Sequence, residues 1–277
     1  MVHFVTALHC EARPLIDSYG MKPISNHGRV SIYSSENATL AISGIGILQS
    51  AIGATALQQT NADASGPWIN VGICGHRDLP IGEAILANKV SSGRHPESFY
   101  PRLITRSGFT QIGIETIDAP TNDYPETNAV DMEAYGFFQA CSHFTTLERI
   151  QSIKIVSDNA AENAERQFDK KWVSELIGNH IDAIKTFART IETVTRDPQP
   201  RSSIEKLESE LLAAHHYSVT EQHQLKSRLN KLAFLHSEET LPDPAALASK
   251  PKTDAAQAID KLINQRSPVA QQRSSQR

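Results

Sequence analysis

The sequence predicts a three-layer α/β fold followed by a helical extension. Short β-branched runs alternate with amphipathic ones from His3 to Thr195, the alternation of a sheet covered by helices. That order stops at Asp197-Pro198-Gln199-Pro200, beyond which leucines recur at helical spacing. With 277 residues and 39% hydrophobic content there is material for one large core and an appendage, and the mean hydropathy of −0.35 reflects dilution by a polar region, the C-terminal third.

His3 to Leu8 reads as a strand, ending at His9-Cys10-Glu11 and passing into a helix with Pro14 in its first turn. Residues 31–33 and 39–43 read as an antiparallel pair, followed by the glycine turn Ser43-Gly44-Ile45-Gly46 and a small-residue helix over Ser50 to Leu57. Trp68 to Gly75 and Ala84 to Val90 are buried strands, the first ending in glycines. Ser91 to Pro125 is polar and proline-containing, with one strand at Gly113 to Ile117. From Asn128 to about Phe144, Val130, Ala134, Phe137, Phe138, Cys141 and Phe144 fit one helical face. Ile153 to Val156 is a strand, and Asp169 to Thr195 reads as one long helix with Trp172, Leu176, Ile177, Ile184, Phe187 and Ile191 inward.

These boundaries give an α/β domain over 1–195, a linker over 196–203, helices over 204–265 and a disordered tail over 266–277, which is rich in Gln, Ser and Arg. Ile204, Leu207 and Leu211 suggest one helix of the extension and Leu225, Leu229 and Leu232 a second, forming a hairpin, with a short amphipathic helix over Ala255 to Gln265. The leucine stripe reads as core-forming, and a surface for an unknown protein partner is the alternative. His215, His216, His223 and His236 have no carboxylate or thiol cluster beside them, so no metal is expected.

A net charge of −4 and pI of about 6.3 supply no basic field for nucleic acid or an anionic membrane. Cys10, Cys74 and Cys141 lie in apolar settings without C-x-x-C spacing and read as reduced, buried thiols. MVHFVTAL carries neither a basic leader nor a long apolar run, so the expectation is a cytoplasmic protein without membrane spans.

Three carboxylates stand at element ends. Glu11 sits at a strand-to-helix corner and Asp158 at the carboxyl end of a strand, where ligands collect in open α/β sheets. Glu133, in the first turn of its helix, cannot join the buried stripe; a solvated partner of the helix dipole is the bland account of it. Gly44-Ile45-Gly46 offers backbone N–H groups at a helix start, a weak signal alone.

Ala7-Leu8-His9-Cys10-Glu11, Ser43-Gly44-Ile45-Gly46, Asn70-Val71-Gly72-Ile73-Cys74-Gly75, Val130-Asp131-Met132-Glu133-Ala134 and Val156-Ser157-Asp158-Asn159-Ala160 together resemble the nucleoside phosphorylase and nucleosidase superfamily. Within it they are most similar to the methylthioadenosine/S-adenosylhomocysteine nucleosidases. The resemblance spans about residues 1 to 195 and implies a phosphorylase/hydrolase-like fold with a central mixed sheet, no cofactor, a nucleoside substrate and a homodimer. It implies that Glu133 holds the ribose hydroxyls with Met132 against the sugar, that Ser157, Ile45 and Gly46 border the substrate, that Asp158 donates to N7 of a purine, and that Glu11 activates water. Cleaving an N-glycosidic bond builds positive charge on the sugar and negative charge on the base, so an acid and a base are both needed.

The stretch between Val90 and Val130 is shorter than in typical nucleosidases, where it supplies an aromatic stack for the base; Phe99, Tyr100 and Phe109 are the aromatics available. Ile73 and Cys74 replace small polar residues, and His9-Cys10 replaces a more acidic lead-in. Hydrolysis is favoured by Glu11. Phosphorolysis would need an arginine site, for which Arg13 and Arg77 are the candidates. A catalytically altered, nucleoside-binding descendant is the third reading.

Overall fold

In the computed structural model, which describes residues 1–60, 66–102, 107–161, 169–195, 202–235 and 241–265, a ten-stranded mixed sheet lies between two helical layers. Alternation along the strands decides which layer each side chain joins. In β1 (Val2–Thr6), Phe4 packs with α1 (His9–Tyr19), α4 (Lys170–Gly178) and α5 (Ile181–Thr195), while Val5 faces the core of α2 (Ile47–Thr60) and α3 (Ala134–Cys141). β5 (Trp68–His76) divides likewise, with Ile69 and Val71 toward α1 and Trp68 and Cys74 toward α2. Gly136 lets α3 cross α2 closely, because a Cβ there would overlap the carbonyl of Ile47.

The remaining strands are β2 (Lys22–His27), β3 (Val30–Ser34), β4 (Ala38–Ile42), β6 (Ala84–Ser92), β7 (His95–Phe99), β8 (Thr110–Thr116), β9 (Asn128–Asp131) and β10 (Ile150–Asn159). The sheet runs β10-β6-β8-β9-β5-β1-β4-β3-β2, and a further β10–β5 pairing closes β5, β10, β6, β8 and β9 into a ring. β5 is the hinge of this topology. β10 follows one edge of it from Trp68 to His76, whereas β1 pairs only from Trp68 to Asn70 and β9 joins only at Gly75. Between Asn70 and Gly75 the sheet therefore forks.

Several expectations are corrected. Asn128 to Asp131 is not helical: it pairs in parallel with β8 and meets β5 at Val130, so α3 starts only at Ala134. Tertiary pairing overrides an apolar spacing that also suits a helix. Pro14 lies inside α1 rather than in its first turn. The helix expected from Asp169 to Thr195 is two, parted at Asn179-His180, where Gly178 and Asn179 are weak helix formers and the His180 ring bonds the Gly82 carbonyl at 2.8 Å. β2 and β7 were not expected; each is polar, contains proline and pairs with a single strand, which is where proline is tolerated in a sheet.

The chain divides into two compact units, Met1–Arg196 and Asp197–Arg277. The second contains α6 (Ser202–Ala214), α7 (Val219–Leu235), α8 (Pro244–Ala248) and α9 (Lys252–Gln265). Ile204, Leu207 and Leu211 pack with Leu225, Leu229 and Leu232, and Leu247, Ala255 and Ile259 complete that core. The short α8 was not expected; Asp243 caps it and Pro244 opens it. Most of the expected linker, the expected disordered tail and His236 lie outside the described residues. Among the described residues no helix is long and apolar enough to cross a membrane.

Candidate active site

A cleft of about 230 Å³ opens at the fork in the sheet. Glu11, Ile45, Met132, Glu133, Ser157 and Asp158, drawn from four separate stretches of sequence, all line it. Gly46 does not; its N–H donates to Glu133 Oε1 at 3.0 Å and so orients that carboxylate.

Glu11 is 2% exposed, in the first turn of α1. Its Oε2 accepts from the N–H groups of Ala7 (3.0 Å) and Leu8 (2.9 Å), and Oε1 accepts from the N–H of Ile73 (3.1 Å). Ile73 lies in the forked part of β5, and the side chain supplies the acceptor there. Three amides use three of about four acceptor sites on a carboxylate, leaving one on Oε1. Burial raises the Glu11 carboxyl above the ordinary range, while Lys154 and the three amides work against that rise.

Lys154 is the main residue that the sequence reading missed. It is 1% exposed, its Nζ 2.8 Å from Asp131 Oδ2 and 3.7 Å from Glu133 Oε2. Burial opposes its charge, but Asp131, Glu133 and Glu11 outweigh burial and raise its pKa, so the ammonium is firmly held. A signal was available: a lysine inside Ile153-Lys154-Ile155-Val156, where a buried strand would otherwise be wholly apolar, has to find a carboxylate.

Asp131 connects this cation to α3. Its Oδ2 accepts from the N–H groups of Glu133 (3.2 Å) and Ala134 (2.8 Å), capping the helix start, and its Oδ1 accepts from Thr116 Oγ1 at 2.7 Å. Glu133 is thus the residue before the first helical turn and not, as expected, inside that turn; nor is it solvated, being 7% exposed. Burial pushes its carboxyl up to about 7, with Asp131 and Glu11 adding to the rise and Lys154 opposing it. The folded chain therefore binds this proton more tightly than the unfolded chain, whose carboxyl titrates near 4.5. The stabilisation is complete below that value and is lost as pH rises to about 7. Urea unfolding from pH 4.5 to 8 should show Glu133→Gln with a shallower decline in stability than the wild type; parallel curves would contradict this ionisation.

Asp158 is placed by an irregularity no local pattern announces. β10 pairs Val156 with Cys74 and Asp158 with Gly75, so Ser157 is an extra residue, a bulge that re-aims the chain beside the cleft. Asp158 Oδ1 accepts from Ser157 Oγ and Oδ2 from Tyr124 Oη, both at 2.5 Å. Tyr124, 8% exposed, comes from the polar segment before β9 and had no sequence signal.

The three aromatics considered for base stacking are elsewhere. Phe99 packs on Tyr135 and Phe138, Phe109 on Phe187, and Tyr100 is 61% exposed. Ile117, Pro120 and Thr121 line the cleft from the shortened segment instead. Arg13 pairs with Asp17 and Arg77 with Glu126, both on largely exposed side chains, and neither lines the cleft. The cysteines are unpaired; Cys74 and Cys141 are buried and Cys10 is half-buried.

No family model matches the sequence, and no curated protein matches it. Solved structures do. The futalosine hydrolase of Helicobacter pylori strain 26695 is 16% identical with a TM-score of 0.56, over 67% of this chain and 97% of that one. The 5′-methylthioadenosine nucleosidase of Arabidopsis thaliana is 14% identical with a TM-score of 0.56, over 69% and 95%. The 5′-methylthioadenosine/S-adenosylhomocysteine nucleosidase of S. pneumoniae, solved with a transition-state inhibitor, is 18% identical with a TM-score of 0.55, over 68% and 98%. The chain therefore shares its fold with these solved hydrolases and nucleosidases, the fold that its motifs imply.

Proposed function

We propose that the protein hydrolyses the N-glycosidic bond of a purine nucleoside, releasing the free base and a ribose derivative. The observation that carries this reading is that two separately anchored carboxylates, Glu11 and Asp158, line one cleft with Glu133. Glu133 accepts hydrogen bonds from the ribose hydroxyls. Glu11, made more basic by burial and with one acceptor site left, orients water and takes its proton as the oxygen attacks C1′. Asp158 delivers a proton to N7 as the C1′–N9 electron pair leaves with the base. Lys154 keeps the sugar-side carboxylates in place and offsets their mutual repulsion.

Water is the preferred nucleophile because Arg13 and Arg77, the candidates for a phosphate site, are engaged outside the cleft. The apolar walls supplied by Ile45, Ile73, Ile117, Val130 and Met132 suit a 5′-substituted adenosine with an apolar substituent. Ile45, Leu48 and Ile52 form an exposed apolar stripe beside the cleft, which supports a homodimer burying that face; sedimentation velocity reads the stoichiometry directly, and a monomer at micromolar concentration would refute it.

The function is tested by incubating the protein with methylthioadenosine, S-adenosylhomocysteine, 5′-deoxyadenosine, adenosine and inosine, with and without phosphate, and following free base. Release without phosphate is expected. Strict phosphate dependence would replace hydrolysis by phosphorolysis, and binding without turnover would make the protein a nucleoside binder.

A further inference from the structure

The geometry points to Tyr124 as a positioning residue for the proton donor, holding Asp158 Oδ2 and meeting the charge that Asp158 acquires in the reaction; this rests on the hydrolase reading above. Its hydroxyl lies 2.5 Å from Asp158 Oδ2, on the opposite carboxyl oxygen from Ser157. The fold makes room for this contact. A Cβ at Gly75 would stand 2.5 Å from both Tyr124 Cε1 and Asp158 Oδ2, so any larger residue at that point of β5 would wedge the pair apart.

The hydroxyl hydrogens can be counted. Ser157 has one, with two acceptors in reach, Asp158 Oδ1 at 2.5 Å and the Cys74 carbonyl at 3.2 Å. Before reaction, with the Ser157 hydrogen on Cys74 O, the short contact to Oδ1 accommodates a proton carried by Asp158. During reaction that proton moves to N7 of the base, the C1′–N9 electron pair stays with the base, water adds to C1′ and its proton passes to Glu11. Asp158 is then left as a carboxylate in a largely apolar cleft. Tyr124 can donate to Oδ2 and Ser157 can turn its hydrogen to Oδ1, so the new charge is met by two donors already in place. The Tyr124 bond strengthens as the proton leaves, which favours the transition state over the bound substrate.

A substrate whose leaving group needs no proton should not feel this residue. The test compares wild type and Tyr124→Phe in the full chain on methylthioadenosine and on 4-nitrophenyl β-D-ribofuranoside, whose nitrophenolate departs unprotonated. Tyr124→Phe should lose about 10- to 100-fold in kcat on methylthioadenosine, the size expected for one hydrogen bond to a charged group, with KM little changed. On the nitrophenyl riboside it should stay within about threefold of wild type, which also reports an intact fold. Gly75→Ala, which disturbs the same contact from β5, should show the same selectivity. An equal loss on both substrates, or none on either, while wild type cleaves both without phosphate, would overturn the role of Tyr124 and leave the hydrolase reading standing. If wild type cleaves neither, the hydrolase reading fails and this inference with it.

Discussion

Glu11→Gln should lower kcat for phosphate-independent base release by about 10²- to 10⁴-fold, the range for removing a general base, while nucleoside affinity stays within a few-fold. The amide keeps the volume of the carboxyl and one acceptor oxygen, which can still serve the N–H groups of Ala7 and Leu8. It cannot take a proton from water, and its NH₂ group then faces the N–H of Ile73, two donors with no acceptor between them. A stability loss of about 1–3 kcal/mol accompanies the substitution for that reason. Calorimetric titration with a non-hydrolysable nucleoside analogue separates the two effects: tight binding without turnover is the expected outcome. Full turnover by Glu11→Gln on a substrate the wild type cleaves would remove Glu11 from the mechanism.

Lys154→Met should destabilise the α/β unit by about 3–5 kcal/mol, the usual loss when one partner of a buried ionic group is deleted. Methionine fits the volume but leaves Asp131, Glu133 and Glu11 around a cation that is gone, and Asp131 is also the cap of α3. The shift should appear as a lower urea midpoint at an unchanged slope. Adding Asp131→Asn to Lys154→Met should recover part of the loss, because the remaining buried charge is then smaller. A single variant as stable as the wild type would show that the carboxylates do not depend on this ammonium.

The fold was legible where local pattern and tertiary role agree. β1, β5, β6 and the core of β10 are predominantly apolar because helices cover both faces of the sheet, so burial itself writes the signal. Glu11, Glu133 and Asp158 were legible because each stands near an element's end, where ligand-binding side chains collect in open α/β sheets. What escaped depends on distant partners. Ala129 and Val130 suit a helix face and a strand equally, and only their pairing with β8 and β5 decides between them. The Ser157 bulge is defined by register against Cys74 and Gly75, and Tyr124 acquires a role only because Gly75 lets it approach a residue 34 positions later. Lys154 was visible as a charge in an apolar strand, yet its three carboxylate neighbours come from α1 and from around the start of α3.

The fork in β5 ties architecture to chemistry. Where β1 has ended and β9 has not yet joined, the backbone of β5 is held by the carboxylate of Glu11, so this side chain does the work of an absent strand. The acceptor sites that brace the sheet are the ones a stronger base would need free. A substitution that loosens the grip of Ala7, Leu8 or Ile73 on Glu11 would make the carboxylate more available to water and would also unpin the first turn of α1 from the sheet. If Glu11 is the base proposed above, activity and rigidity are opposed at a single residue, and gains in one are to be sought where the other can be restored elsewhere in the chain.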